Sequence, residues 1–159
     1  RIFDWNRVGA DGKPRELHVK KAADELDYHQ GTRGAVETIA YHYEGLERTA
    51  LIGSSRFIVE RVVATDEVTS LETEGRPAIV MTLEHPITLQ AGDVALDLTR
   101  YQTALVPAAA QWYTVSAQGG REAPFMLVAP PTSTETMTVR LLAAGIEQDR
   151  IDRFMAQFT

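Results

Sequence analysis

Short runs of alternating apolar and polar side chains fill the middle of the chain, from about residue 49 to residue 128. They are bounded by glycine, proline or polar residues, and they recur at a spacing of about 8–12 residues. In chain order they read RFIVERVVA, RPAIVMTLE, ITLQAGDVALDLT, QTALVPAA, WYTVSA and FMLVAPP. The pattern predicts six or seven short strands in an all-β sandwich or barrel. No helical stretch long enough for a crossover lies among them, which argues against a parallel sheet.

Two turns in this region have the composition of hairpin turns. Gly92-Asp93 lies between the apolar flanks of LQAGDVAL, and Gly119-Gly120 lies in AQGGRE. Glycine readily adopts the left-handed backbone conformation that such turns require. Both turns are therefore predicted to join antiparallel neighbours.

A helical periodicity follows Pro130-Pro131. Its first apolar stripe comprises Val139, Leu142, Ala143 and Ile146, and its second comprises Ile151, Phe154, Met155 and Phe158. Gly145 has the position of the glycine that ends a helix. The pattern predicts a C-terminal pair of short helices packed against the sandwich.

The first seven residues, RIFDWNR, alternate in a way that predicts a strand rich in aromatic and β-branched side chains. Asp11-Gly12 supplies a turn, and Pro14 suits the first position of a helix. The helix has its apolar stripe at Val19, Ala22, Ala23 and Leu26. A loose join at Gly31–Gly34 separates this strand and helix, residues 1–30, from a second domain, residues 31–159.

Composition and charge exclude several classes of function. The formal net charge is −6, and the 16 basic residues are scattered among 22 acidic ones, so no basic stripe exists for nucleic acid. No apolar run approaches the ~20 residues of a membrane span. The chain has no cysteine, so it forms neither disulfides nor a thiolate metal site. We expect a cytoplasmic protein that has no nucleic-acid or membrane partner.

Candidate chemistry is sparse. The four histidines, His18, His29, His42 and His85, show no metal-ligand spacing. Glu72 and Glu74 are two apart, as a paired carboxylate site requires, but a solvated face flanking the turn Glu74-Gly75-Arg76 is the favoured interpretation. GSSR, residues 53–56, has small polar residues that could hold an anion, although such loops are common between strands. The residues alone therefore predict a β domain without a visible active site.

Two longer stretches resemble a known family. RIFDWNRVGADGKPRELHVKKAADEL is similar to the segment that follows the metal site in bacterial type I mannose-6-phosphate isomerases. The matching positions are Arg1, Asp4, Trp5, Arg7, Arg15, Glu16, Leu17 and His18. GDVALDLTRYQTALVPAAAQWYTV resembles the closing part of a cupin barrel, the jelly-roll β-sandwich of that family. The fold implied is mainly β: a cupin-like sandwich with an N-terminal strand and helix and a C-terminal pair of short helices.

The resemblance also implies an activity. The family interconverts mannose 6-phosphate and fructose 6-phosphate, a sugar-phosphate isomerisation of carbohydrate metabolism. Its zinc ion is held by His, Glu and Gln ligands in a first cupin barrel that precedes the matching strand. An arginine of that strand projects into the active site, and its match here is Arg1. Arg1 is thus the one candidate catalytic residue, and the zinc ligands are expected to lie outside this chain.

The second barrel departs from a metal-binding cupin. The family motif Pro-x-Gly-x-x-His is represented by Pro107, Ala109 and Trp112, and tryptophan does not ligate metals. We expect Trp112 to fill space instead. The β region therefore resembles a metal-free cupin that packs against a catalytic one, and residues 1–30 would continue from that preceding barrel.

Three hypotheses follow. The leading one is the C-terminal part of a zinc-dependent mannose-6-phosphate isomerase, inactive as an isolated chain. The second is a free-standing cupin module whose pocket, lined by Trp112, Tyr113 and Tyr101, binds a sugar or a protein partner. The third is a purely structural domain. Because Trp112 and Tyr113 are adjacent in a strand, they are predicted to point to opposite faces, with the inward one filling the core.

Overall fold

The structure, a computed structural model, describes residues 2–26, 36–131 and 133–156. The chain forms two compact units, Arg1–Ala35 and Val36–Thr159, which are described separately. The predicted role of residues 1–30 as the continuation of a preceding barrel stays a prediction.

The N-terminal unit has no strand at residues 2–7, and the prediction of one is wrong. Trp5 and Asn6 have φ of 50° and 55°, in the left-handed region, and the Arg7 N–H donates to the Asp4 carbonyl across a turn. Two consecutive left-handed residues reverse the chain and cannot continue an extended strand. Ile2, Phe3 and Trp5 consequently remain exposed.

The other described elements of this unit are a short hairpin-like loop and one helix. Val8 and Pro14 form a single antiparallel bridge, and Arg15 donates from Nε and Nη2 to the two Asp4 carboxylate oxygens, each at 2.7 Å. The helix α1 spans only Val19–Asp24, and none of its residues is buried. Among residues 2–26, the predicted apolar stripe therefore has no buried core to pack against.

The C-terminal unit is built on ten antiparallel strands in two sheets. The strands are β1 Ile39–Tyr43, β2 Leu46–Gly53, β3 Ile58–Ala64, β4 Thr69–Glu72, β5 Ala78–Thr82, β6 Ile87–Ala91, β7 Val94–Leu98, β8 Thr103–Val106, β9 Trp112–Ala117 and β10 Ala123–Ala129. The larger sheet has the order β1-β2-β3-β10-β5-β8, and the smaller has β4-β9-β6-β7. Every strand pair in the described part of the chain is antiparallel, as predicted. The mainly β sandwich predicted from the alternating runs is confirmed.

The two glycine turns differ in what they connect. At Gly92-Asp93, β6 and β7 pair in the predicted hairpin, with Ala91 opposite Val94. At Gly119-Gly120 the chain leaves β9 in the smaller sheet and enters β10 in the larger one, so the hairpin prediction there is wrong. Gly119 and Gly120 both have positive φ, a conformation that is compatible with a change of sheet as well as with a hairpin.

Two helices follow the sandwich, as predicted. They are α2, Thr134–Ala143, and α3, Gln148–Met155, and Gly145 between them has φ of 79°, as expected of a glycine that ends a helix. The buried residues of α2 are Met137 and Leu141. The predicted stripe is not the buried face of this helix, since its member Val139 is 65% exposed. In α3, Ile151 and Phe154 are buried as predicted. Phe158 lies outside the described residues, and no helix among those described is long and apolar enough to span a membrane.

The larger sheet is shared between two hydrophobic cores. The first lies between the two sheets and contains Phe125, Val80 and Tyr113. The second is formed by the β1–β2–β3 end of the larger sheet and the helices α2 and α3, and it contains Ile39, Met137 and Phe154. Apolar burial supplies most of the stability of such layers. Between the two cores lies a boundary at which polar side chains can be buried.

Candidate functional site

The three aromatic residues proposed to line a cupin pocket do not come together: Trp112 and Tyr113 border one shallow cavity, and Tyr101 does not line it. Tyr113 is 3% exposed and lies in the first core, whereas Trp112 is 53% exposed on the other face of β9. Tyr101 is also exposed. The opposite orientation of the adjacent pair is confirmed, but the expectation that Trp112 fills space inside is wrong. Gln111, at φ 59°, precedes the strand, and the register that follows turns Tyr113 inward.

The described residues do not form a metal site. Among residues 2–26, 36–131 and 133–156, no group of three or more histidine, aspartate or glutamate side chains could hold a metal ion. Where a metal-binding cupin has the histidine of its second motif, this chain has an outward Trp112 followed by an inward phenol. Zinc therefore has no fitting donor set in this part of the chain. Arg1, the predicted catalytic residue, lies outside the described residues.

A set of charged side chains lies at the boundary between the two cores. We call Arg48, Arg76 and Arg140 the arginine cluster, and the carboxylates bound to them are Glu44, Glu60 and Glu74. The arginines come from β2, from the loop after β4 and from α2, respectively. All six line one cavity of about 50 Å³, together with residues of the first core such as Leu127 and of the second such as Met137.

Arg48 is the most deeply buried member. Its Nη1 donates to Glu60 Oε2 at 3.2 Å and its Nη2 to Glu44 Oε2 at 2.7 Å. The side chains of Arg48 and Glu60 are each 4% exposed. Tyr41 donates its hydroxyl hydrogen to the other oxygen of Glu60. Both charges are therefore compensated by direct partners, as buried charges must be.

Glu74 connects the other two arginines. Arg140 Nη2 donates to Glu74 Oε1 at 2.9 Å, and Arg76 Nη2 donates to Glu74 Oε2. Arg76 Nη1 also donates to the Pro130 carbonyl, which ties the loop to the segment before α2. The guanidinium carbons of Arg140 and Arg48 lie 4.2 Å and 5.4 Å from the centroid of the Tyr43 ring. These contacts join all three arginines into one cluster.

This cluster was not predicted from the sequence, and the one prediction that concerns it is that for Glu72 and Glu74. Glu72 and Glu74 were expected on a solvated face beside the turn Glu74-Gly75-Arg76. Glu72 is exposed and Glu74 does lie in the turn, at φ 51°, but its side chain is half-buried between two guanidinium groups. Arg48 and Glu60 each interrupt an apolar face of a strand. The sequence signal for the cluster was a charged residue at an inward position in each of two strands, β2 and β3. This signal could not be used because the first half of β2 was not predicted to be a strand.

Burial shifts the acid–base equilibria of the cluster. Desolvation is the largest cause of the raised pKa of Glu44, and the nearby Arg48 partly offsets it. Burial, followed by the charge of Glu60, raises the pKa of Tyr41. Burial also raises the pKa of Tyr113 to about 12. In each case the neutral form is favoured because burial leaves the anion poorly hydrated.

Tyr113 gives a pH dependence that can be measured. Its pKa is about 12 in the folded protein and about 10 when unfolded. The unfolded chain thus loses the proton first as the pH rises past about 10, and the free energy of unfolding falls towards pH 12 by up to about 3 kcal/mol. Below pH 10 the effect is absent. Urea unfolding at pH 9 to 11.5 should show a steeper loss for the wild type than for Tyr113→Phe; parallel losses would contradict the assignment.

Two further cavities differ in character from the arginine cluster. One, of about 510 Å³, lies between the β6–β7 hairpin and β8 and is lined by apolar residues such as Leu96 and Leu105. Another, of about 280 Å³, lies beside Trp112, Gln90 and Thr114. The cavity at the arginine cluster is much smaller than the ~300–1,000 Å³ of pockets that enclose whole small-molecule ligands. A complete hexose therefore does not fit inside it.

Comparison with known proteins identifies a fold. No protein-family model and no curated protein matches the chain. Among solved structures, the mannose 6-phosphate isomerase from Bacillus subtilis aligns with a TM-score of 0.63 and 19% identity, over 81% of this chain and 39% of that one. KdgF from Halomonas sp. aligns with a TM-score of 0.51 and 13% identity, over 61% and 90%. The cupin domain of Schizosaccharomyces pombe Cnp3 gives 0.49 and 10%, over 63% and 71%.

The likenesses to the Bacillus isomerase and to KdgF, together with the two antiparallel sheets, establish a cupin-like jelly-roll sandwich, as predicted. The aligned part of this chain spans about two fifths of the length of the Bacillus isomerase. At identities of 19% or less, shared architecture does not carry an activity with it. The likeness therefore supports a shared fold and does not by itself support an isomerase activity.

Proposed function

We propose that this chain is the C-terminal part of a zinc-dependent mannose-6-phosphate isomerase. It would contribute a metal-free cupin sandwich, and the segment that begins at Arg1 would reach the active site of a preceding barrel that holds the zinc ligands. The substrate would be the sugar phosphate, and the isolated chain would be inactive. Arg1 would supply positive charge near the reacting sugar oxygens.

The extent of the structural alignment carries this proposal. An alignment over 81% of 159 residues covers about 129 residues (0.81 × 159). The sandwich from Ile39 to Ala129 contains only 91 (129 − 39 + 1), so the likeness to the isomerase extends beyond the sandwich. The alignment with KdgF covers 61% of the chain, close to the sandwich alone. The similarity of RIFDWNR and RELH to isomerase segments supports the same assignment.

The parent gene and its product test the proposal. The reading frame upstream of Arg1 is expected to encode a cupin segment with zinc ligands, and the parent protein is expected to interconvert mannose 6-phosphate and fructose 6-phosphate. In that protein Arg1→Ala should lower kcat by about 10²-fold or more, while Arg121→Ala, a change at an exposed arginine in the loop between β9 and β10, should not. A start codon just upstream of Arg1, or a parent protein without activity on either sugar phosphate, would refute the proposal.

One observation favours the second candidate, a sugar-binding module. Trp112 is exposed beside Gln90 and Thr114, an aromatic face flanked by hydrogen-bonding groups on the outside of the smaller sheet. Titration of the chain with neutral hexoses, followed by tryptophan fluorescence, separates the two candidates. A saturable change that disappears in Trp112→Ala, together with an inactive parent protein, would replace the isomerase proposal by this one.

A further inference from the structure

The three arginines of the cluster share an unusual feature: each retains a buried donor. The Nε atoms of Arg48, Arg76 and Arg140 are inaccessible to solvent and have no hydrogen-bond acceptor among the described residues. The terminal nitrogens of the same side chains do donate, to Glu44, Glu60, Glu74 and the Pro130 carbonyl. Buried donors without acceptors are rare in native proteins, and three at one cavity indicate a group that accepts from them.

We infer that the cavity at the arginine cluster binds a small tetrahedral oxyanion, namely a phosphate group. The cluster is a built site because Arg48, with its side chain 96% buried, lines the cavity and has an unsatisfied Nε. Its position is fixed by the charge pair with Glu60 and by the Tyr43 ring. The inference concerns this chain alone and does not depend on the proposed isomerase activity.

The chemistry of arginine favours an oxyanion over a neutral ligand. The Nε and one Nη of a guanidinium form a planar fork that matches two oxygens of a phosphate group, and each such bond is charge-assisted. Phosphate oxygens accept hydrogen bonds without having to donate in return. A cavity of about 50 Å³ has room for about three to five water molecules, since each needs about 10–15 Å³. That space suits a group of five heavy atoms, with any attached sugar remaining outside.

The local charge balance permits an anion. Glu60 and Glu74 neutralise two of the three guanidinium charges, and Glu44, the second carboxylate on Arg48, is 25% exposed, so solvent weakens its repulsion of an anion. Glu72, which also lines the cavity, is exposed to solvent, which screens its charge. Glu74 divides its two oxygens between Arg76 and Arg140, so neither arginine has a carboxylate of its own. An entering phosphate group would complete the coordination of both.

The test measures binding of inorganic phosphate to the complete 159-residue chain by calorimetric titration at constant ionic strength. We expect saturable binding of one phosphate per chain, and a rise of the unfolding temperature with phosphate concentration. Arg76→Gln, at the most accessible arginine of the cluster, should weaken binding by about tenfold or more. The matched control is Arg61→Gln, because Arg61 is a surface arginine of β3 whose 4.0 Å pair with Glu47 lies outside the cluster; its affinity should stay within about twofold of wild type.

A second variant and two further ligands sharpen the result. Arg76→Lys keeps the charge but lacks the Nε fork, and it should bind more weakly than wild type while remaining folded by circular dichroism. Mannose 6-phosphate that binds as well as inorganic phosphate, with no binding of mannose, would assign recognition to the phosphate group. Binding of mannose 6-phosphate but not of inorganic phosphate would overturn the inference, because the sugar would then be required.

Two other outcomes would also overturn it. One is the absence of saturable binding at phosphate concentrations up to about 10 mM. A Kd above that concentration would be weaker than the Kd of about 1 mM that marks a weak complex. The other is an equal loss of affinity in Arg76→Gln and Arg61→Gln, which would mean that phosphate only screens surface charge. An inactive parent protein would refute the isomerase proposal but leave this site intact.

Discussion

Arg48→Met should lower the free energy of unfolding by about 3–5 kcal/mol. The substitution removes the guanidinium that compensates Glu60, and the carboxylate would remain 4% exposed between the two cores. An uncompensated buried charge is far more costly than the charge pair is stabilising. Urea unfolding followed by circular dichroism at pH 7 measures the change.

A partial rescue distinguishes charge from packing. Arg48→Met combined with Glu60→Gln leaves a neutral group that still accepts from Tyr41, so at least half of the lost stability should return. The control is Arg61→Met, at a surface arginine whose pair with Glu47 is largely solvated; it should cost less than about 1 kcal/mol. If the double variant is less stable than Arg48→Met, the loss arises from packing and not from the unpaired carboxylate.

Phe154→Ala should also cost about 3–5 kcal/mol, for a different reason. Phe154 is fully buried in the second core, where it is grouped with Ile39 of β1 and Leu141 of α2. Its removal leaves a cavity where the helices pack on the sheet, and surrounding side chains fill such space only in part. Thermal and urea unfolding give the change directly.

The matched control for Phe154→Ala makes the same chemical change at an exposed site. Phe57 precedes β3 and is 43% exposed, so Phe57→Ala should cost clearly less than the core substitution. Equal losses at the two positions would mean that α3 does not pack on the sheet in solution. A separate low-temperature transition in Phe154→Ala alone would show that the second core can melt by itself.

Much of the sandwich was predictable because local side-chain alternation determines it. RFIVERVVA and WYTVSA became β3 and β9, and most of their apolar residues are buried, Trp112 being an exposed exception. β1 and β2 were overlooked because IAYHY and LERTALIG carry histidine, glutamate and arginine among their apolar residues. In β2 the buried positions include Arg48, so the hydrophobic pattern is broken by the residue that matters most at the site.

The candidate site depends on contacts that no local pattern contains. Arg140 and Glu74 are 66 residues apart in sequence and become ion-paired only when α2 packs beside the sandwich. The phase of α2 was also not predictable from its apolar residues, because Val139 is exposed while Met137 and Leu141 are buried. Tertiary packing decided between two stripes of similar hydrophobicity.

The N-terminal segment shows the opposite case, in which a good local pattern fails. RIFDWNR alternates like a strand, yet Trp5 and Asn6 adopt left-handed conformations and the segment pairs with no strand among the described residues. A single strand has no stability of its own and needs a neighbouring sheet to bind its backbone groups. The outward orientation of Trp112 was also not predicted. The positive φ of Gln111 changes the direction of the chain just before β9 and so sets which side chains of that strand point inward.

The second core has a consequence for the order of folding. It joins the two ends of the C-terminal unit: Arg150 of α3 donates to the Thr38 carbonyl, 112 residues earlier in the chain. The entropy lost on closing a loop increases with its length, and contacts of large sequence separation slow folding. The β6–β7 hairpin closes across two residues and carries almost none of that cost. We therefore expect α2 and α3 to dock last, and the arginine cluster beneath them to become dry only at that final step.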